Sequence, residues 1–107
     1  MKIVSLEDLS MKLRGVVPPR LVEALPAKYF DAGHLPGAVN MNHVDVTQKA
    51  AWLLPDRGAE IIVYCSGPSC NNSHKAATQL LMLGYQNVAV FSGGKADWQA
   101  AGFALEM

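Results

Sequence analysis

Two cysteines, Cys65 and Cys70, are the side chains in this 107-residue chain best suited to covalent chemistry. They bracket the start of the loop Ser66-Gly67-Pro68-Ser69-Cys70-Asn71-Asn72, which Ser73 closes. Successive backbone N–H groups of such a small, polar loop can point inward, and the positive end of a following helix points to the same place. The result is an anion cradle whose nearest candidate occupant is the Cys65 thiolate. A thiol so placed is expected to have a lowered pKa and to act as a nucleophile. Cys70, five positions on, offers a second thiol that could resolve an oxidised Cys65 as a disulfide if their α-carbons come within about 4.4–6.8 Å. The bland alternatives are a Cys65 that serves as a small buried hydrophobe and a Cys70 that packs on the loop.

The elements needed to hold this loop are legible on either side of it. Ile61 to Tyr64 is a short apolar run without alternation, the pattern of a parallel strand covered on both faces, so Cys65 ends a central strand. Ligands of open α/β sheets bind at that edge. Beyond the loop, Ala76, Ala77, Leu80 and Leu81 recur at helical spacing, Asn72 or Ser73 is expected to cap the helix, and Gly84 to stop it. Earlier, Ser5 caps a helix carrying Leu6, Leu9 and Leu13 on one face and ending near Gly15, and Leu21 to Leu25 reads as the first central strand. Pro26 opens a turn of helix through Tyr29 and Phe30, and the turn His34 to Ala38 delivers a strand over Ala38 to Met41. Val44 to Leu54 is expected to be helical, with Val44 or Val46, Ala50, Trp52 and Leu53 partly buried. Val88 to Phe91 is the last strand, Ser92-Gly93-Gly94 a sharp turn, and Lys95 to Ala101 a final helix with Trp98 in the core and Gly102 as its stop.

Half of the residues are hydrophobic and the length suits one domain over residues 1–107. A net charge of zero gives no electrostatic case for a nucleic-acid or anionic-membrane partner. Met1 to Ser5 leads at once to Glu7 and Asp8, without the apolar core of a signal peptide or a spanning segment, and a cytoplasmic location is expected. Two cysteines in such a setting argue against a disulfide framework. A zinc site built from both cysteines and two of His34, His43 and His74 lacks compact ligand spacing, so no metal is expected. The double glycine lacks the remainder of a phosphate-loop fingerprint.

The run Ile61 to Cys65, the helix from Ser73, Leu83-Gly84-Tyr85-Gln86-Asn87-Val88, Gly93-Gly94 and Ala96-Asp97-Trp98-Gln99-Ala100-Ala101-Gly102 together resemble the second half of a rhodanese domain, and Gly33 to Asn40 resembles an earlier part. The resemblance spans about Leu6 to Ala104. It implies a three-layer α/β/α sandwich with a central parallel sheet, and a catalytic cysteine at Cys65 that carries sulfane sulfur as a persulfide. No cofactor is implied; the expected partners are a small-molecule or protein sulfur donor and a thiol acceptor. Within the resemblance, His34 belongs to a structural turn rather than acting as a base.

The chain departs from the family pattern at two places. Rhodanese loops have five residues between cysteine and serine, with an arginine before the serine; here there are seven, ending in Asn72, and the loop has no arginine or lysine. Anionic donors bind best where cationic side chains add to backbone donors, so thiosulfate activity is expected to be weak. The longer loop is also expected to widen the pocket, as in phosphatase relatives, but those keep the arginine that grips the oxyanion, which counts against phosphatase chemistry here. On the first strand Glu23 matches the family acid, while Leu25 stands where an arginine is expected. The reading is therefore a sulfurtransferase with Cys65 catalytic, Ser66, Gly67, Pro68, Ser69, Cys70, Asn71, Asn72 and Ser73 forming the cradle, and Cys70 as redox partner. Its rivals are a thiol-disulfide sensor using Cys65 and Cys70, and a catalytically silent interaction module. Cys70 would discharge a Cys65 persulfide by forming the disulfide and releasing sulfide.

Overall fold

The computed structural model describes all 107 residues. Five parallel strands form one sheet: β1 (Lys2–Ile3), β2 (Arg20–Glu23), β3 (Val39–Asn40), β4 (Ile61–Tyr64) and β5 (Val88–Phe91), in the spatial order β1-β5-β4-β2-β3. The helices are α1 (Leu6–Leu13), α2 (Ala27–Asp31), α3 (Val46–Leu53), α4 (Asn72–Met82) and α5 (Gly94–Ala100), with a 3-10 turn over His43–Asp45 before α3. The expected three-layer sandwich is present, with β4 in the middle of the sheet.

Alternation along the strands explains the layers. Side chains of a strand point to opposite faces in turn. Val22, Ile61, Val63, Val88 and Val90 thus pack with Val46, Ala50, Ala76, Ala77 and Leu80 of α3 and α4. Leu21, Ile62, Tyr64, Ala89 and Phe91 pack with Leu9 of α1 and Trp98 of α5 on the other face. All four residues of β4 are buried, as an uninterrupted apolar run requires. Cys65 continues the parity of Ile61 and Val63, so its sulfur faces α4.

The chain runs from β2 outward to β3, then crosses back to place β4 on the other side of β2. The carboxyl ends of β2 and β4 therefore flank a topological switch point, and Glu23 of β2 lies in register with Tyr64, the residue before Cys65.

Several boundaries differ from expectation. The edge strand β1 escapes periodicity because it is only two residues long. β2 stops at Glu23, level with Tyr64 at the end of β4, and the edge strand β3 covers only Val39–Asn40. The stretch from residue 44 divides into the 3-10 turn and α3; Val46 and Ala50 are buried, but Val44 and Trp52 face solvent at 68% and 81% exposure. One side of α3 suffices to cover the sheet, and Trp52 lies off it. Ser5 caps α1 as expected, its hydroxyl accepting from the Asp8 N–H at 3.0 Å. Gly84 has φ +94°, the left-handed stop expected after α4.

Candidate active site

A turn in the loop sets the geometry around Cys65. Pro68 occupies the second position of a tight turn closed by the Cys70 N–H donating to the Gly67 carbonyl at 3.0 Å. The chain thereby doubles back over the end of β4. The Cys65 thiol lies 3.3 Å from the Cys70 carbonyl oxygen and 3.4 Å from Ser73 Oγ, and only 1% of Cys65 is exposed. The extra loop residues close the site instead of widening it, contrary to the sequence expectation: the turn closed by the Gly67–Cys70 hydrogen bond folds the loop onto the sulfur.

The loop amides serve two sulfurs. The Ser73 amide and hydroxyl face Cys65. The Asn72 and Ser66 amides, the Ser66 hydroxyl and the Cys65 thiol act instead on the Cys70 thiol, each lowering its pKa. Asn71 is the N-cap of α4 and makes no side-chain cap bond, so neither Asn72 nor Ser73 caps the helix. Both lie within its first turn, and the Ser73 hydroxyl stands 3.4 Å from the Cys65 sulfur instead. Ser66, Pro68, Ser69 and Asn71 are exposed, Gly67 is buried, and Cys70 is partly exposed. Both cysteines are free thiols.

This arrangement reverses the expected acidity. Burial pushes the Cys65 thiol above its ordinary pKa; the hydrogen bond with Cys70 adds to the rise, and the Ser73 hydroxyl and amide oppose it. Burial also raises Cys70, but hydrogen bonds from Cys65, the Asn72 and Ser66 amides and the Ser66 hydroxyl outweigh it and leave Cys70 below the ordinary value. The loop amides lower thiol pKa as expected, yet more of them act on Cys70 than on Cys65. Desolvation of a thiolate at a nearly sealed position outweighs the donors Cys65 retains.

A residue that sequence reasoning passed over anchors the back of the site. Lys95, at the start of α5, places Nζ 2.8 Å from Glu23 Oε2 and 2.7 Å from the Tyr29 carbonyl. Its backbone N–H donates to the Cys65 carbonyl at 3.1 Å, and the Ala96 N–H donates to the Ser66 carbonyl at 2.9 Å. Glu23 is fully buried, and its other oxygen accepts from Tyr64 Oη at 2.8 Å, which in turn accepts from the Leu35 N–H at 3.0 Å. Burial and then the Glu23 charge push the Tyr64 phenol far above its ordinary pKa. Lys95 thus neutralises the acid that Leu25 leaves without an arginine. The signal available was the acid itself: a carboxylate in a central strand must find a cation. Gly94 permits the contact, since at φ +60° an added Cβ would collide with the Cys65 carbonyl oxygen and come within 2.8 Å of the Gly67 nitrogen.

The histidines take other places. The His34 ring stacks on Phe30 with centroids 4.0 Å apart, and Nδ1 lies 2.8 Å from the Leu35 carbonyl. His43 Nδ1 contacts Asn42 Oδ1 at 3.1 Å. Nowhere do three or more His, Cys, Asp or Glu residues gather as a metal-holding group. Lys75 is exposed on α4 and its backbone N–H donates to the Asn71 carbonyl at 3.2 Å, while its ammonium makes no hydrogen bond to the loop. No helix is long and apolar enough to cross a membrane.

A cysteine at the carboxyl end of the central strand, embraced by a strand-loop-helix cradle in a parallel α/β/α sandwich, defines the class of thiol-bearing α/β domains. The chain belongs to the rhodanese family: the family model described as Rhodanese-like domain matches residues 5–101. It is 34% identical over 101 residues to the adenylyltransferase and sulfurtransferase UBA4 of Candida albicans, covering 89% of this chain and 23% of that protein. It is 30% identical over 86 residues to the HTH-type transcriptional regulator Rv0324 of Mycobacterium tuberculosis, covering 80% of this chain and 37% of that protein. The chain thus spans well under half the length of either relative. Among solved structures, the BH2092 protein of Bacillus halodurans superposes with a TM-score of 0.89 at 26% identity, over 98% of this chain and 76% of that one. The thiosulfate sulfurtransferase of Pseudomonas aeruginosa gives 0.85 at 26% identity, over 98% of this chain and 20% of that one.

Proposed function

We propose that this rhodanese-like chain is a sulfurtransferase that carries sulfane sulfur as a persulfide on Cys65. The observation that supports it is the placement of the Cys65 sulfur at the carboxyl end of β4, against the Ser73 hydroxyl at 3.4 Å and the Ser73 amide, where donors can hold an anionic terminal sulfur. The cysteine thiolate attacks the outer sulfur of a donor persulfide, the donor S–S bond breaks, and the donor thiolate leaves. A thiol acceptor then takes the sulfur by the same exchange. No lysine or arginine stands in the loop, and Lys95 is occupied by Glu23, so alkyl or protein persulfides suit the site better than thiosulfate. Among the proteins it resembles, UBA4 and the Pseudomonas aeruginosa enzyme are sulfurtransferases, consistent with this reading.

A second reading is a thiol-disulfide sensor, favoured by the approach of the Cys65 sulfur to within 3.3 Å of the Cys70 carbonyl oxygen. Intact-mass spectrometry after exposure to thiosulfate or to an alkyl persulfide separates the two. Gain of one sulfur that requires Cys65, mainly from the alkyl persulfide, supports transfer. Loss of two hydrogens that requires both cysteines, with no sulfur adduct from any donor, replaces it by the sensor; no mass change overturns both and leaves a binding module.

A further inference from the structure

We propose that Cys70 is a second sulfur-carrying nucleophile, the thiol at which donor sulfur enters the site before passing inward to Cys65. The inference rests on the persulfide reading above. It starts from an accessibility problem: Cys65 is 1% exposed beneath the Gly67–Cys70 turn, whereas Cys70 is partly exposed at the loop surface. A donor persulfide approaching the closed loop meets Cys70 first. The Ser66 amide and hydroxyl and the Asn72 amide also act to lower the Cys70 pKa, which favours the thiolate at that more accessible position. The Cys65 sulfur lies 3.3 Å from the Cys70 carbonyl oxygen, which brings the two residues together for the second half of the path.

Both steps are exchanges without an oxidant. The Cys70 thiolate attacks the outer sulfur of an alkyl persulfide, a new S–S bond forms on Cys70, the donor S–S bond breaks, and the alkyl thiolate departs. Cys65 then attacks the outer sulfur on Cys70; the Cys70 S–S bond breaks, and the proton of the Cys65 thiol ends on the departing Cys70 thiolate. The net change is Cys65 thiol plus Cys70 persulfide to Cys65 persulfide plus Cys70 thiol. The acidity order favours this direction, because the more acidic thiol is the better leaving group. Attack on the inner sulfur instead would give the disulfide and free sulfide.

Rapid-quench peptide mapping with a low-molecular-weight alkyl persulfide tests the relay in the full chain, using the wild type, Cys65→Ser and Cys70→Ser. The expected result is an extra sulfur on Cys70 in Cys65→Ser, a Cys70 adduct that precedes the Cys65 adduct in the wild type, and loading of Cys65 slowed about tenfold or more in Cys70→Ser. Cys65 loading at the wild-type rate in Cys70→Ser overturns the relay while leaving the sulfurtransferase reading intact. So does absence of sulfur on Cys70 in Cys65→Ser, a result that does not depend on how the Cys70 variant folds. Wild-type protein that gains no sulfur on either cysteine overturns the sulfurtransferase reading and the relay together, and a wild-type disulfide with released sulfide in place of a Cys65 persulfide overturns the relay in favour of discharge.

Discussion

At the scale of single residues, the two cysteines differ in burial and in acidity. Cys65 is shielded and held neutral by burial and by Cys70, so its thiolate fraction grows only at higher pH. Cys70, with its pKa lowered, reaches its thiolate form at lower pH. Alkylation by iodoacetamide followed by peptide mapping should therefore show Cys70 reacting first, with a pH midpoint below that of an ordinary thiol, and Cys65 with a midpoint above it. In Cys70→Ala the Cys65 midpoint should fall, because both the hydrogen bond and the charge of Cys70 raise it. Equal midpoints for the two thiols would contradict the geometry. Lys95 provides the second test at this scale. Its ion pair with fully buried Glu23 is itself nearly enclosed, with side-chain exposures of 13% and 0%. Lys95→Met leaves a buried carboxylate without its cation and should cost about 3–5 kcal/mol in chemical denaturation.

Elements act here through the places where they touch. The first two amides after Gly94 hold the carbonyls of Cys65 and Ser66, so α5 fixes the start of a loop that belongs to the opposite layer of the sandwich. That contact exists only because residue 94 combines a left-handed backbone with no side chain. Gly94→Ala combines strain at positive φ with a collision against the Cys65 carbonyl, and should destabilise by more than about 2 kcal/mol. Thermal melting checks the loss, and faster alkylation of Cys65 should accompany it as the loop is pushed outward. The strand-loop-helix reading around Cys65 was legible because an apolar run, a turn-prone loop and a 3.6-residue repeat are local patterns. The role of α5 was not, since nothing in Lys95 or Ala96 alone says that their amides face a loop nearly thirty positions earlier.

For the molecule as a whole, the sheet is covered on both faces, and the two tryptophans report on opposite conditions. Trp98 is 5% exposed in the layer with α1, donates through Nε1 to the Ala104 carbonyl at 3.0 Å, and stacks on Phe103. Trp52 is 81% exposed. Trp98→Ala should cost about 3–5 kcal/mol, whereas Trp52→Ala should change stability by no more than about 0.5 kcal/mol. Urea unfolding of both variants measures the contrast, and comparable losses would show that the layer over α3 is covered in solution.

The sequence by itself determined the layered α/β architecture, the position of Cys65 at the end of a buried central strand, the loop and helix after it, and the family to which these motifs belong. The strand, loop and helix around Cys65 follow from local composition and periodicity, and the layered architecture and the family from the resemblance carried by motifs spread from Leu6 to Ala104. Only the tertiary structure decided that the long loop closes over Cys65, that its amides favour Cys70, and that Lys95 replaces a missing arginine beside Glu23. Those outcomes depend on which polar groups meet after the layers have packed and on how much water the packing removes. Desolvation and distant pairing have no local sequence pattern.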